Sequence, residues 1–288
     1  MSIDKLHDKI RKMKNPSMLD LTVPKDVIPA HVCQGSDVQN YVAFCRELMA
    51  GLKDLIPAVR LHFNIFSLMG IEGLSALSQL LKEAQELGFY VLLDAPGIMT
   101  PEDAQLVAET IFGGEDYPCD GLCITPYIGS DAIKPFVPYC KADKDLFVVV
   151  RSANKSAMEL QDLMTGTRLV HTAATDIVSR QGENIFGKNG YSRICAVVSA
   201  GAPNSIRSIR SGYKYTYMLI DGLEYPSGNH KNCSLAFDRF GYGAVVCAGT
   251  SITAAWKENG TDGTDFVAQA AEAADRMKKN LLRYVTIL

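Results

Sequence analysis

Short apolar runs alternate with longer amphipathic stretches along almost the whole chain. The apolar runs fall at 17–22, 58–63, 89–94, 121–125, 146–150, 194–198, 217–220 and 244–247, and they read as strands buried on both faces. Between them, apolar positions recur at helical spacing; over 37–53 Val38, Tyr41, Val42, Cys45, Leu48, Met49 and Leu52 form one stripe. The same spacing predicts helices at 4–14, 70–87, 101–112, 131–141, 203–210 and 264–284, with 157–178 largely helical and a further helix near 234–240. Local signals agree with these bounds: Asn15-Pro16 stops the first helix, Gly88 ends the third, and Pro101 with Glu102 and Asp103 opens the next.

Eight strand–helix units in series predict a parallel sheet covered by helices, and eight fit a closed (β/α)8 barrel better than an open doubly wound sheet. No G-x-G-x-x-G follows the first strand and no P-loop lysine motif occurs, so the open nucleotide-binding alternative has no support. The expectation is one α/β domain, a TIM barrel spanning 1–288, with the 4–14 helix ahead of it. A length of 288 residues is within the range of a single barrel.

Composition changes this picture little. A formal net charge of −3 leaves no electrostatic footprint for nucleic acid or an anionic membrane, and no apolar run reaches the length of a membrane span. The N-terminal stretch is charged at short intervals and lacks the apolar centre of a secretory signal, so a cytoplasmic protein is expected. The eight cysteines are irregularly spaced, mostly in apolar or helical patterns, as reduced buried thiols would be. Cys119 and Cys123 lack the further ligands of a zinc set, and no metal is expected.

Candidate chemistry gathers where strands end. The third strand closes on Asp94 before Ala95-Pro96-Gly97, and loops at the carboxyl ends of barrel strands converge on one site. Residues two apart on a strand share a face, so Arg60 and His62 can point together towards Asp94 on the neighbouring strand. An anion holder, a general acid/base and its orienting carboxylate is one reading of that trio; a buried ion pair with His62 at the rim is the other. Thr22, Thr125, Arg151, Asn154 and Asp221 are further strand-end candidates, and Ser130 or Asp131 reads as a helix N-cap. His31, His171 and His230 are far apart in sequence and are expected to face solvent.

Two segments carry a family resemblance. Thr125-Pro126-Tyr127-Ile128-Gly129-Ser130-Asp131 through Pro135-Phe136 resembles N-P-Y-L-G-x-D-x-x-x-P-F, and Leu146-Phe147-Val148-Val149-Val150-Arg151-Ser152-Ala153-Asn154 resembles L-F-V-L-V-x-T-S-N, both from the longer bacterial type of orotidine 5′-phosphate decarboxylase. Ile56-Pro57-Ala58-Val59, Gly70-Ile71-Glu72-Gly73-Leu74 and Gly243-Ala244-Val245-Val246 extend the similarity along the chain. The resemblance implies a (β/α)8 barrel, a homodimer with sites shared across the interface, no cofactor, and catalysis by a Lys-Asp-Lys-Asp charge array. It also implies ligand-contact positions at Thr22, Thr125, Asn154 and Thr250.

The departures fall on that machinery. The first lysine position is Arg60, the first aspartate is Asp94, the second lysine is Pro96 and the second aspartate is Met99. The ligand-contacting aspartate of G-L-D-P is Thr22, the asparagine of N-P-Y is Thr125, and the serine that meets the pyrimidine is Ala153. At the phosphate end, the family glutamine falls on Pro226 and the gripping arginine on Thr250, with Asp221 and Glu224 nearby to repel a dianion. Proline has no proton to give to a carbanion, and electrostatic preorganisation is usually the largest catalytic term.

The leading expectation is therefore a non-catalytic paralogue in a binding or regulatory role, pairing with itself or with an active homologue through the inherited dimer face. A lyase or isomerase acting on a different, non-phosphorylated substrate through Arg60, His62 and Asp94 is the first alternative; a polar mouth pocket holding all three would favour it, and a mouth plugged by Tyr, Met99 or Leu223 would not. A decarboxylase with another lysine, such as Lys134 or Lys155, is the second, although both are expected to face solvent.

Overall fold

The computed structural model describes residues 2–288 and shows eight parallel strands closed into one barrel. In chain order these are β1 (Ser17–Asp20), β2 (Ala58–His62), β3 (Tyr90–Asp94), β4 (Gly121–Ile124), β5 (Asp145–Arg151), β6 (Ile194–Ser199), β7 (Met218–Asp221) and β8 (Ala244–Ala248). Each pairs with its sequence neighbours, and β8 returns to β1 with Ser17 opposite Val246. The continuous apolar strands follow from this closure: Val91, Leu92, Leu93, Val197, Val198, Leu219, Val245 and Val246 are all buried.

Helices Asp37–Leu52, Gly70–Glu86, Val170–Gln181, Pro203–Gly212 and Phe266–Leu282 form much of the outer layer. The first begins in a capping box, with the Ser36 hydroxyl accepting the Gln39 N–H and the Gln39 side chain accepting the Ser36 N–H. Thr100 and Asp103 make the same reciprocal pair ahead of helix Pro101–Val107, which runs on into a wider turn at Ala108–Phe112. The leading helix, Ser2–Met13, buries Ile3, Leu6 and Ile10. Its Asp4 is also buried, accepting the backbone N–H groups of Lys188 and Asn189, which precede β6.

Three expected helices take other forms. Residues 131–141 split into 3-10 turns at Gly129–Ala132 and Lys134–Phe136 and a short helix Val137–Lys141, because Pro135 and Pro138 remove donors that a continuous helix needs. Ser130 and Asp131 lie within the first of these turns and cap nothing; Asp131 pairs instead with Lys134 at 2.9 Å. Within 157–178, a turn Lys155–Glu159 and a two-strand ribbon (Met164–Thr165 with Arg168–Leu169) precede the helix that starts at Val170, and the ribbon turns at Gly166 with φ 65°. Near 234–240 the helix is earlier, His230–Ser234, and Asp238 draws the chain out of it by accepting the Phe240 and Tyr242 N–H groups.

His171 faces inward rather than to solvent, its Nδ1 3.0 Å from the Gln161 carbonyl oxygen, whereas His31 is exposed and His230 is half-buried. Seven of the eight cysteines are buried free thiols, and Cys33 is exposed. Burial pushes the Cys119 thiol up to about 12 and the Cys123 thiol well above its ordinary value, so both stay protonated. Among the described residues no helix is long and apolar enough to cross a membrane.

Candidate functional site

The carboxyl ends of β1, β2, β3 and β7 each present an ionisable side chain to the barrel mouth. Register sets the arrangement: Asp20 of β1 pairs with Arg60 of β2, and His62 of β2 pairs with Asp94 of β3. Arg60 forms a fork on Asp94, with Nε and one terminal nitrogen each 2.8 Å from a carboxylate oxygen. Its other terminal nitrogen reaches Asp221 at 3.1 Å and Asp20 at 3.5 Å. A guanidinium suits such a place, since its rigid fork can satisfy carboxylates on three strands at once.

His62 is held on both sides, Nε2 3.0 Å from Asp20 and Nδ1 2.9 Å from Asp94. Burial alone would lower its pKa, but the hydrogen bonds to the two carboxylates outweigh that and bring it up to about 9. The ring is therefore an imidazolium at neutral pH, with both N–H groups committed. Burial likewise opposes ionisation of Asp20 and Asp94. The hydrogen bond and charge of His62 hold Asp20 below the usual carboxylate range, and the charge of Arg60 with the bond to His62 holds Asp94 further below it. Against burial, the charges of Asp94 and Asp221 drive the Arg60 pKa well up.

Two cations among three carboxylates make a network with one net negative charge (2 − 3 = −1). The trio expected from the sequence is thus assembled, as an ionic lattice rather than a free acid/base pair. Two residues extend it beyond the expected trio. Asp221 is a strand-end acid in the sequence, whereas Asp20 lies within the first apolar run and only the β1–β2 register brings it to Arg60.

Above the network lies an open cavity of about 390 Å³, with Arg60, His62, Thr22, Asn154, Asp221 and Thr250 in its walls. Asp94 and Thr125 line a smaller adjoining cavity of about 230 Å³, to which His62 is common. The mouth is not plugged: Met99 is 83% exposed, and Leu223 and Tyr225 stand at the wall of the larger cavity. Among the described residues no lysine lines either cavity, and Lys134 and Lys155 both face solvent.

At the far wall Glu224 reaches across from the loop after β7 to the loop after β8. Its carboxylate accepts the backbone N–H groups of Gly249 (3.0 Å), Thr250 (3.2 Å) and Ser251 (2.6 Å), and the Thr250 hydroxyl at 3.1 Å. Gly222 permits this reach: its φ is 71°, and a Cβ there would overlap the Ala153 side chain. In many TIM barrels these two loops and a short helix supply the donors for a phosphate. Here a carboxylate of the chain itself occupies them.

Fold and site together define a (β/α)8 barrel whose polar centre sits at the carboxyl ends of its strands. No family model matches the chain. An orotidine 5′-phosphate decarboxylase of Clostridium acetobutylicum is 28% identical over 289 residues, covering 98% of this chain and 100% of the relative. One from Clostridium novyi is 25% identical over 285 residues, covering 98% of each. The solved Leishmania donovani OMP decarboxylase superposes with a TM-score of 0.71 at 21% identity, over 97% of this chain and 99% of that one. The chain is thus a divergent homologue of these curated orotidine 5′-phosphate decarboxylases, 25% and 28% identical to them over nearly its whole length.

Proposed function

We propose that this barrel no longer converts orotidine 5′-phosphate to uridine 5′-phosphate and serves as a non-catalytic homologue in a binding or regulatory role. The observation that carries this reading is the placement of Glu224, whose carboxylate takes the three amide donors and one hydroxyl at the ends of β7 and β8. A phosphate entering there would meet a fixed negative charge, and no arginine or lysine stands free at the wall to offset it. The Arg60–His62 network supports the same reading, because both ring N–H groups of His62 are held by carboxylates and a guanidinium whose pKa is driven well up gives no proton to a developing carbanion.

The role is proposed to be cytoplasmic and to involve pairing through the mouth side of the barrel. Leu68, Ile71, Met99 and Tyr127 follow the ends of β2, β3 and β4 and are each more than four-fifths exposed, an apolar margin suited to a second copy or to an active homologue. Purified protein should release no carbon dioxide from orotidine 5′-phosphate and give no calorimetric binding of uridine 5′-phosphate. Turnover, or tight nucleotide binding, would sink the proposal.

A second reading, a lyase or isomerase acting on a non-phosphorylated substrate, is favoured by one observation: the mouth is open and Arg60 and His62 both border its cavity. It needs His62 to exchange a proton while both ring nitrogens are held by carboxylates. Substrate turnover that survives in wild type and disappears in His62→Gln would select it.

A further inference from the structure

The largest of the described cavities lies at the other end of the barrel, outside the mouth and outside the family's ligand positions. It has a volume of about 610 Å³ and sits between the carboxyl end of helix Val170–Gln181 and the segment that enters β7. Thr216, two residues ahead of β7, lines it and Asp221 ends that strand at the mouth, so the two cavities are separated by about 16 Å of near-extended chain.

Two features of its walls are unusual for a solvent-facing surface. Phe186 and Tyr215 are 45% and 64% exposed, yet their rings meet edge to face with centroids 5.8 Å apart. They stand over buried Ser192, which Phe186 bridges across a short irregular turn. Aromatic side chains in a concave site offer large apolar contact area, and rings prefer offset or edge-to-face contact with one another.

The charges beside them are unequally committed. Both carboxylate oxygens of Asp176 are taken, one by Arg168 and the other by the Tyr213 hydroxyl. Arg180 and Lys214 line the same cavity and, among the described residues, neither lies within ion-pair distance of a carboxylate. Glu183 is the one acid of the lining without such a partner, and it is exposed at the rim. Two uncommitted cations against one rim acid leave the cavity locally positive.

We infer that this cavity is a binding site for a small planar aromatic molecule bearing one anionic group, its ring against Phe186 and Tyr215 and its charge on Arg180 and Lys214. Both carboxylate and phosphate would meet that description, so the probes are indole-3-acetate and phenyl phosphate, with the uncharged indole-3-ethanol as control. Calorimetry and saturation-transfer NMR on the full chain should show binding of at least one anionic probe and at least tenfold weaker binding of the uncharged one. Tyr215→Ala should weaken the anionic probe at least tenfold. Arg180→Ala combined with Lys214→Ala should bring its affinity down to that of the alcohol and remove its salt dependence. All three side chains are exposed, and far-UV circular dichroism with Phe186→Leu as a second aromatic variant keeps a folding defect distinguishable from a lost contact. Absence of binding by either anion at millimolar concentration, or binding unchanged in the variants, would overturn the assignment.

Discussion

Replacing Arg60 by methionine tests whether the mouth network is a structural lattice. The side chain is 6% exposed and neutralises parts of three carboxylates, with contacts of 2.8 Å to Asp94, 3.1 Å to Asp221 and 3.5 Å to Asp20. Methionine fills much of the volume and supplies no charge, so the loss is that of one partner from a buried ionic group, about 3–5 kcal/mol. For a domain of this size each kcal/mol corresponds to roughly 2–4 °C, so the expected fall in Tm at pH 7.5 is about 10 °C. The pH dependence gives the sharper signature. In wild type the Asp94 pKa is depressed, so its stabilisation is complete above the unfolded value near 4 and fades as pH falls through the native value. Without Arg60 the Asp94 pKa rises, with only His62 left to oppose burial, so the deficit should be largest near pH 8 and shrink as pH falls through that raised value. Urea unfolding of both proteins across that range measures it. A variant within 2 °C of wild type at pH 7.5, or a deficit that grows on acidification, would refute the lattice reading.

Other expectations follow from the same geometry. With the His62 pKa raised to about 9, its contribution is fully present below about 6.5 and lost as pH rises through 9, amounting to about 3 kcal/mol; His62→Gln should flatten that slope in unfolding experiments between pH 7 and 10. Nitrogen NMR of wild type at pH 7 should find both ring nitrogens of His62 protonated. Glu224→Ala frees the amides of Gly249, Thr250 and Ser251, and hydrogen exchange there should speed up by about tenfold, against no change in β3. Gly222→Ala should cost about 1–3 kcal/mol in thermal unfolding through a strained left-handed φ and overlap with Ala153.

The barrel was legible because a strand buried on both faces leaves a continuous apolar run, and each of the eight runs lies in or within two residues of an observed strand. Period-two spacing also placed Arg60 and His62 together, and strand adjacency added Asp94. What stayed hidden depends on contacts distant in sequence. Asp20 joins the site only through its register with Arg60, and the role of Glu224 requires the loop after β7 to lie against residues 249–251. Over 157–178 the sequence pattern reads as helix because the ribbon is short and flanked by good helix formers, with only Gly166 to signal the turn. His171 carries no local mark of burial; the Gln161 carbonyl and Asp162 that meet it come from the preceding loop.

Closure of the barrel through β1 and β8 ties folding to synthesis. Ser17 finds its partner only when Val246 is available, a separation that makes the last ladder a slow, non-local step. Until then β1 and the strand at the growing end present unpaired edges, the usual templates for association between chains. Arg60 can meet Asp20 and Asp94 early, because β1 to β3 lie together near the start of the chain, whereas Asp221 arrives late. The mouth charges would then hold the first three strands in register while the remainder of the wall is made.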